Sequence, residues 1–292
     1  MRGRLHLVFA IVFLFSASLF AQTETTTGSI GGFVTDNSGG ALPGVTVTAR
    51  NANTGMTRMS VTELDGKYQL PLLSPGTYTV TAELAGLGNA QRDKATVLLG
   101  TATKVDLVLR PQVAETITVT AESPVVDVTE TASSEAVTQN EISNLPILGR
   151  DFKDLVLLTP GVSTAFGGRV SLVGARGTAV DYNIDGANAN SDFFAEERGG
   201  TAAPYVFSQA AIREFRVIRN TYSAEYSRGG GGTMNAITKS GTNDLQGELF
   251  YYHRDEEWAD ERDVANIDEF FSPRNADQYG FAVGGPIMRD KL

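Results

Sequence analysis

The chain of 292 residues contains no cysteine and only two histidines, His6 and His253. Without cysteine it has no disulfide scaffold, thiolate metal site or cysteine nucleophile, and most hydrolytic and metal-dependent reactions need an imidazole. Basic residues are in the minority, since 24 Lys and Arg stand against 34 Asp and Glu, for a net charge of −10. An acidic chain lacks the basic face that binds nucleic acid. We therefore expect a protein of about two domains with no nucleic-acid partner, no cofactor and no enzymatic activity.

The N-terminal segment has the layout of a secretory signal. Two arginines precede a mostly apolar run from Leu5 to Phe20, and Ala21 supplies a small residue where signal peptidase would cut. A membrane-spanning helix would need about 20 apolar residues, and this run is shorter. We predict a cleaved signal peptide over residues 1–21, which leaves His253 as the single histidine of an exported protein.

Residues 28–110 alternate between short β-prone runs and turns. Val45–Ala49 and Thr77–Ala82 alternate with a period of two, and Asp65-Gly66 and Pro75-Gly76 are typical of turns between strands. Short strands at a spacing of roughly 8–12 residues indicate a β-sandwich.

Four motifs in this segment occur in order: Gly32–Asp36, Leu42–Val47, Asp65–Tyr68 and Leu73–Tyr78. Together they resemble the carboxypeptidase regulatory-like domain, which is a prealbumin-like sandwich. The resemblance implies an accessory module without peptidase activity. The superfamily includes carbohydrate-binding-like folds. The resemblance is therefore consistent with two roles for this domain, a structural spacer and a sugar-binding module.

A stretch rich in Thr and Val lies in the linker over residues 111–123. It is Glu115-Thr116-Ile117-Thr118-Val119-Thr120-Ala121, and we call it the box segment. It is similar to the TonB box, the periplasmic segment of TonB-dependent receptors. An extended β-prone peptide binds by adding a strand to the edge of a partner's sheet, so the resemblance implies the periplasmic domain of TonB as partner. A last strand of the sandwich, or a strand of the following domain, is the alternative.

Residues 124–240 combine short helices with short strands. Thr138-x-x-Glu141 is a capping-box pattern at the start of a helix. A second helix contains Phe152 and ends before Pro160, because proline does not continue a helix. We predict strands over Arg169–Gly174, Val180–Ile184, Ile212–Arg219 and Thr233–Lys239.

Further motifs follow one another along the same residues. They are Asn144-Leu145-Pro146, Arg176-Gly177, Asn183-Ile184-Asp185-Gly186, Tyr222–Tyr226, Gly230–Asn235 and Thr238–Asn243. The residues of these motifs and their order resemble those of the plug domain of TonB-dependent outer-membrane receptors. Together with the preceding sandwich, they most resemble the Oar-like receptors of this family. As plug-motif residues we take Arg176, Gly177, Asn183, Asp185 and Gly186.

Three other chemistries fit these residues less well. Asp181-x-Asn183-x-Asp185-Gly186 with Asp192 has the spacing of an EF-hand, but a predicted strand rather than a helix precedes it. His253-x-x-Glu256 has the spacing of two zinc ligands, whereas a catalytic site needs three. Gly229–Gly232 lacks the following Gly-Lys-Ser/Thr of a phosphate loop and is a turn. We predict no metal site and no catalytic residue.

The final segment, residues 241–292, is rich in aromatic residues. Leu245–Tyr252 and Tyr279–Ile287 alternate with the period of outer-membrane strands, and the acidic stretch Asp255–Asp268 is typical of a solvated loop. Two ordinary hairpin strands are the alternative. Because two strands cannot close a barrel and an open edge in lipid leaves main-chain groups unsatisfied, we expect the chain to be the N-terminal part of a larger receptor.

The resemblance implies a mainly β fold with an α+β plug: a sandwich over 28–110, a linker, a plug over 124–240 and the first barrel strands over 241–292. It implies plug-gated, energy-coupled uptake of an unknown small or oligomeric substrate in the outer membrane of a Gram-negative-type bacterium. The implied partners are TonB and, through the barrel, outer-membrane lipid. The alternative is a surface or periplasmic carbohydrate-binding protein without transport activity.

Overall fold

β-Strands make up most of the regular structure in the computed structural model of the chain. The chain divides into two compact units, Met1–Lys239 and Ser240–Leu292. In the part of the chain that the structure describes, no helix is long and apolar enough to cross a membrane. The predicted signal peptide over residues 1–21 lies outside that part. The described residues are 26–110, 117–119, 133–144, 152–165, 169–193, 208–220, 230–255 and 275–289.

Two sheets that share one apolar core form a β-sandwich at the start of the first unit. Its strands are β1 (Gly28–Thr35), β2 (Thr46–Asn51), β3 (Thr57–Val61), β4 (Lys67–Leu73), β5 (Gly76–Glu83), β6 (Asn89–Val97), β7 (Ala102–Lys104), β8 (Leu107–Val108) and β9 (Ile117–Val119). One sheet has the order β4-β1-β7, with β8 also paired to β1, and the other has the order β3-β2-β5-β6-β9. The predicted sandwich is therefore confirmed.

The alternation along β5 shows how the sequence forms this fold. Tyr78, Val80 and Ala82 are buried, while the threonines between them are only partly covered. Because successive side chains of a strand point to opposite faces, the period of two places the apolar set in the core. Tyr68 on β4 also buries its hydroxyl, which donates a hydrogen bond of 2.7 Å to the carbonyl oxygen of Val105.

The predicted turn at Asp65-Gly66 is present between β3 and β4. The side chain of Asp65 accepts a hydrogen bond of 2.9 Å from the amide of Lys67, and the amide of Gly66 donates one of 3.0 Å to the carbonyl of Glu63. Gly66 has a φ of +75°, and a Cβ there would lie 2.6 Å from the carbonyl oxygen of Val34. This turn therefore requires glycine for both its conformation and its close approach to β1.

An α+β domain forms the rest of the first unit. Its elements are β10 (Ser133–Val137), α1 (Gln139–Asn144), α2 (Phe152–Val156), β11 (Val162–Ala165), β12 (Arg169–Leu172), β13 (Asp181–Ile184), β14 (Ala187–Asn188), β15 (Ile212–Asn220) and β16 (Thr233–Thr238). The main sheet has the order β10-β15-β16-β13-β14, and β11 pairs with β12 in a separate hairpin. All four predicted strands are present with slightly different ends, whereas β10, β11 and β14 were not predicted.

Both predicted helices are also present. At the start of α1 the amide and the hydroxyl of Thr138 each donate a hydrogen bond of 2.8 Å to the carboxylate of Glu141, so the capping pair forms. Ile142 on α1 and Leu155 and Val156 on α2 are buried against the strands of the main sheet. The two short helices therefore close the core of this domain.

The second unit contains one antiparallel hairpin of β17 (Gln246–Arg254) and β18 (Ala276–Gly284). The strands pair in register over nine residues, from Gln246 opposite Gly284 to Arg254 opposite Ala276. Leu249 and Phe281 are cross-strand partners and are 86% and 78% exposed, so one face of the hairpin presents apolar side chains. The acidic stretch predicted as a loop lies, after Asp255, outside the described residues.

Candidate functional site

The described part of the box segment is a strand on the edge of the sandwich. Residues 117–119 form β9, which runs parallel to β6 with Ile117 opposite Ala90, Thr118 opposite Gln91 and Val119 opposite Arg92. This pairing agrees with the alternative prediction, in which the segment continues the sandwich sheet. It does not test the predicted binding of the segment to TonB. The other box residues, Glu115, Thr116, Thr120 and Ala121, lie outside the described residues.

A β-bulge in β6 directly follows the residues that pair with β9. The register between β5 and β6 shifts between Tyr78 and Val80, and Lys94 on β6 has a φ of +57°. The carboxylate of the neighbouring Asp93 accepts hydrogen bonds of 3.2 Å from the hydroxyl of Thr79 and 2.9 Å from the side-chain amide of Gln91. Because a bulge bends its strand and interrupts the ladder, β6 offers a regular edge only up to Arg92.

Charged residues of β15 join the sandwich to the α+β domain. Glu214 accepts a hydrogen bond from the amide of Leu99. The guanidinium of Arg216 donates hydrogen bonds of 3.2 Å to the carbonyl of Leu99, 2.6 Å to the carbonyl of Gly100 and 2.7 Å to the hydroxyl of Ser134. We call this set the interdomain contact. Glu214 and Arg216 are 5% and 3% exposed, so both charges are buried.

Burial dominates the electrostatics of this contact. It raises the pKa of Glu214 above the ordinary value for a glutamate, although the Leu99 amide and the guanidinium groups of Arg213 and Arg216 oppose the shift. Burial likewise lowers the pKa of Arg213, and Glu214 opposes that shift. Opposite charges within one desolvated contact thus compensate each other in part.

Three of the five plug-motif residues come together where β13 ends. Asp185 (φ +50°) and Gly186 (φ +79°) form a two-residue turn between β13 and β14, and positive φ at both positions is typical of a tight hairpin. The carboxylate of Asp185 accepts hydrogen bonds of 2.9 and 2.8 Å from the amide and hydroxyl of Thr238. Asn183 on β13 donates a hydrogen bond of 2.8 Å to the carboxylate of Asp181.

The other two plug-motif residues lie before β13. Arg176 is exposed and precedes a short 3-10 turn over Gly177–Ala179. Gly177 is buried, and a Cβ there would lie 2.6 Å from the Cβ of Arg169. The structure therefore gives Gly177 a packing role and does not bring Arg176 to the turn at Asp185.

The residues that have the spacing of calcium and zinc ligands contact other partners in the structure. The buried carboxylate of Asp181 accepts hydrogen bonds from Asn183 and, at 2.9 Å, from Asn188. The imidazole Nδ1 of His253 lies 2.8 Å from the carboxylate of Asp277, across the hairpin, and this pair was not predicted from the sequence. Among the described residues no group of three or more His, Cys, Asp or Glu could hold a metal ion. Glu256, the second residue of the zinc spacing, lies outside them.

Three family models match successive parts of the chain. The carboxypeptidase regulatory-like domain matches residues 29–110, the TonB-dependent receptor plug domain matches residues 127–234, and an outer membrane beta barrel domain matches residues 237–292. Their order is that expected from the sequence motifs.

Curated relatives carry related names. The TonB-dependent transporter Oar of Myxococcus xanthus is 27% identical over 98% of this chain, and the "probable TonB-dependent siderophore receptor PirA" of Acinetobacter baumannii is 28% identical over 61% of it. The chain spans 27% and 24% of the lengths of these proteins, or about a quarter.

A solved structure gives a weaker likeness. The crystal structure of PirA from Acinetobacter baumannii has a TM-score of 0.41 and 22% identity, and the match covers 54% of this chain and 22% of that one. The three domain models and the curated relatives agree with each other and with the mainly β fold and plug described above. On this basis the chain belongs to the TonB-dependent receptor family.

Proposed function

We propose that the chain is the N-terminal part of an Oar-like outer-membrane transporter whose plug gates the energy-coupled uptake of a substrate. In this proposal residues 28–110 are the sandwich, 111–123 the linker, 124–240 the plug and 241–292 the first barrel strands. The apolar face of the β17–β18 hairpin supports contact with lipid, since outer-membrane strands expose such a face. The substrate stays unidentified, and no residue acts on it covalently.

The box segment is the proposed binding site for the periplasmic domain of TonB. The observation that carries this is the extended conformation of residues 117–119 between the sandwich and the plug, at the edge of a sheet. Such a segment binds a partner through main-chain hydrogen bonds, by adding a strand to the partner's sheet. TonB then pulls on the plug through residues 120–132, which connect the segment to β10.

Proline substitutions in the box segment test this site. We expect Ile117→Pro and Val119→Pro to abolish capture of the chain by the purified periplasmic domain of TonB, because each proline removes a main-chain donor. Leu64→Pro is the matched control. Leu64 is 92% exposed and occupies the second position of the turn that Glu63 and Gly66 close, where proline is favoured.

The results separate the two functional classes. Loss of capture in both box variants, with full capture of the Leu64→Pro chain, supports the receptor. Capture that is unchanged by both box prolines contradicts the site. A chain that binds a glycan array and does not bind TonB would instead favour the carbohydrate-binding alternative.

A further inference from the structure

We propose that the sandwich stabilises β10, the first strand of the plug domain, because one of its loops fixes the arginine that holds this strand on β15. The inference goes beyond the proposed function and does not depend on TonB, since it concerns contacts within the first unit. It gives the sandwich a function other than that of a spacer or a sugar-binding module.

The guanidinium of Arg216 contacts the sandwich and β10 at the same time. Its Nη1 donates hydrogen bonds of 3.2 and 2.6 Å to the carbonyl oxygens of Leu99 and Gly100 in the loop between β6 and β7. Its Nη2 donates a hydrogen bond of 2.7 Å to the hydroxyl of Ser134 on β10. Because the donors of a guanidinium have a fixed planar geometry, the two loop carbonyls determine where Nη2 points. The sandwich loop therefore positions the donor that Ser134 accepts.

The backbone of the sandwich leaves room for the charged side chains of β15. Gly100 has a φ of +64°, and a Cβ at this position would overlap the Nη1 of Arg216. A second glycine serves the neighbouring arginine, because a Cβ at Gly76 would lie 2.7 Å from the Nη2 of Arg213. Between the two arginines, Glu214 accepts a hydrogen bond from the amide of the residue before Gly100. The main chain of the sandwich is thus complementary to this part of β15.

Burial contributes little to the stability of β10. The strand lies at one edge of the main sheet and pairs with β15. Among its described side chains, those of residues 134–137, none is buried, although Val137 packs partly against the core. Strands with few buried apolar contacts open locally at a low cost in free energy. The hydrogen bond from Arg216 to Ser134 therefore adds to the main-chain pairing at a strand that has little other support.

A substitution in the sandwich tests whether this domain stabilises β10. Gly100→Ala places a methyl group at the Nη1 of Arg216 without changing any residue of the plug. In the folded full chain we expect the protected amides of β10 to exchange with solvent at least about tenfold faster, as hydrogen bonds from a charged group are lost. Hydrogen exchange in β2 and β5 of the sandwich should stay as it is in the control variant.

Gly86→Ala is the matched control. Gly86 lies in the turn between β5 and β6 with a φ of +85°, so an alanine meets similar backbone strain there, but no described atom lies within 4 Å of its Cβ position. Exchange of the β10 amides should match that of the parent chain. A second variant, Ser134→Ala, removes the acceptor on β10 itself, and we expect exchange in β10 to become about threefold faster while the sandwich is unchanged.

The remaining outcomes decide against the inference. Unchanged exchange of the β10 amides in a folded Gly100→Ala chain shows that the sandwich does not stabilise β10. Equal acceleration by Gly100→Ala and Gly86→Ala assigns the effect to strain within the sandwich and also overturns the inference. If the Gly100→Ala chain does not fold, Ser134→Ala decides, because unchanged exchange there shows that Arg216 does not hold β10. No TonB is present in these measurements, so their failure and the failure of the proposed function are separate results.

Discussion

The sandwich and the plug domain lie in one compact unit but use buried polar groups differently. Among the described residues of the sandwich, Asn51 and Thr62 are the buried polar ones. Thr62 accepts a hydrogen bond from the amide of Val45 and donates one to the carbonyl of Leu42. Nine polar residues are buried in the described part of the plug, and some of them join distant parts of the chain, as when Gln209 donates to the carbonyl of Ile142. The buried polar residues of the plug include Thr159, Ser171, Asp181, Asn190, Gln209, Glu214, Arg216, Thr233 and Asn235.

The difference predicts different weaknesses in the two domains. A buried polar group costs free energy once its partner is removed, so the plug should be most sensitive to the loss of single polar side chains. An apolar core instead loses stability when a cavity opens, so the sandwich should be most sensitive to truncated hydrophobic residues.

The largest effect is expected at the interdomain contact. Arg216→Met removes the donor to Leu99, Gly100 and Ser134 and leaves Glu214 buried with less positive charge beside it. Removal of one partner from a buried charged contact destabilises by about 3–5 kcal/mol, which urea unfolding of the full chain would measure. Arg50→Met is the control, because Arg50 is an exposed strand arginine and should change stability by less than about 0.5 kcal/mol. Similar losses of unfolding free energy in the Arg216→Met and Arg50→Met variants would contradict the prediction that the interdomain contact is especially sensitive.

A slightly smaller loss is expected from a cavity in the sandwich. Leu70 is 1% exposed and lies in the core, so Leu70→Ala should lower the free energy of unfolding by about 2–4 kcal/mol. Leu64→Ala removes the same atoms from a residue that is 92% exposed, and its stability should stay near that of the parent chain. Equal urea midpoints for the two variants would show that the predicted core does not stabilise the sandwich.

The smallest effect is a pH dependence at Glu214. Burial raises the pKa of this carboxyl in the folded chain, so its contribution to stability is fully present below the unfolded pKa of a glutamate and is lost as the pH rises through the folded value. Glu214→Gln keeps a side-chain acceptor for the Leu99 amide and does not titrate. We expect unfolding free energy to fall less steeply with rising pH in this variant than in the parent chain. Parallel pH profiles would contradict the prediction.

Sequence patterns predicted the parts of the fold that depend on interactions between residues close in sequence. The alternation in β5, the glycine turn at Gly66 and the capping pair at the start of α1 each depend on residues close in sequence. β10 has little β-propensity of its own, since Val137 is its one β-branched residue, and it forms through pairing with β15. Such a strand is stabilised by its neighbour and is missed by propensity.

The candidate site depended still more on distant contacts. The sequence left open whether the box segment binds a partner or continues the sandwich, and only the pairing with Ala90–Arg92 shows where β9 rests. The charges of β15 gave no sign of burial, because an alternating strand with Glu214 and Arg216 has the pattern of an exposed face. Their partner, the loop at Leu99, lies 115 residues earlier than Glu214, beyond the reach of any local pattern.

The bulge at Lys94 also bears on aggregation. A long, flat and unpaired strand edge is a template for strands of other molecules, and β6 becomes an edge whenever β9 is absent. Because the bulge bends β6 after Arg92, the vacated edge stays short and twisted, and its regular part ends beside the charged residues Asp93 and Lys94. The irregularity in β6 thus also limits strand pairing between two copies of the chain at this edge.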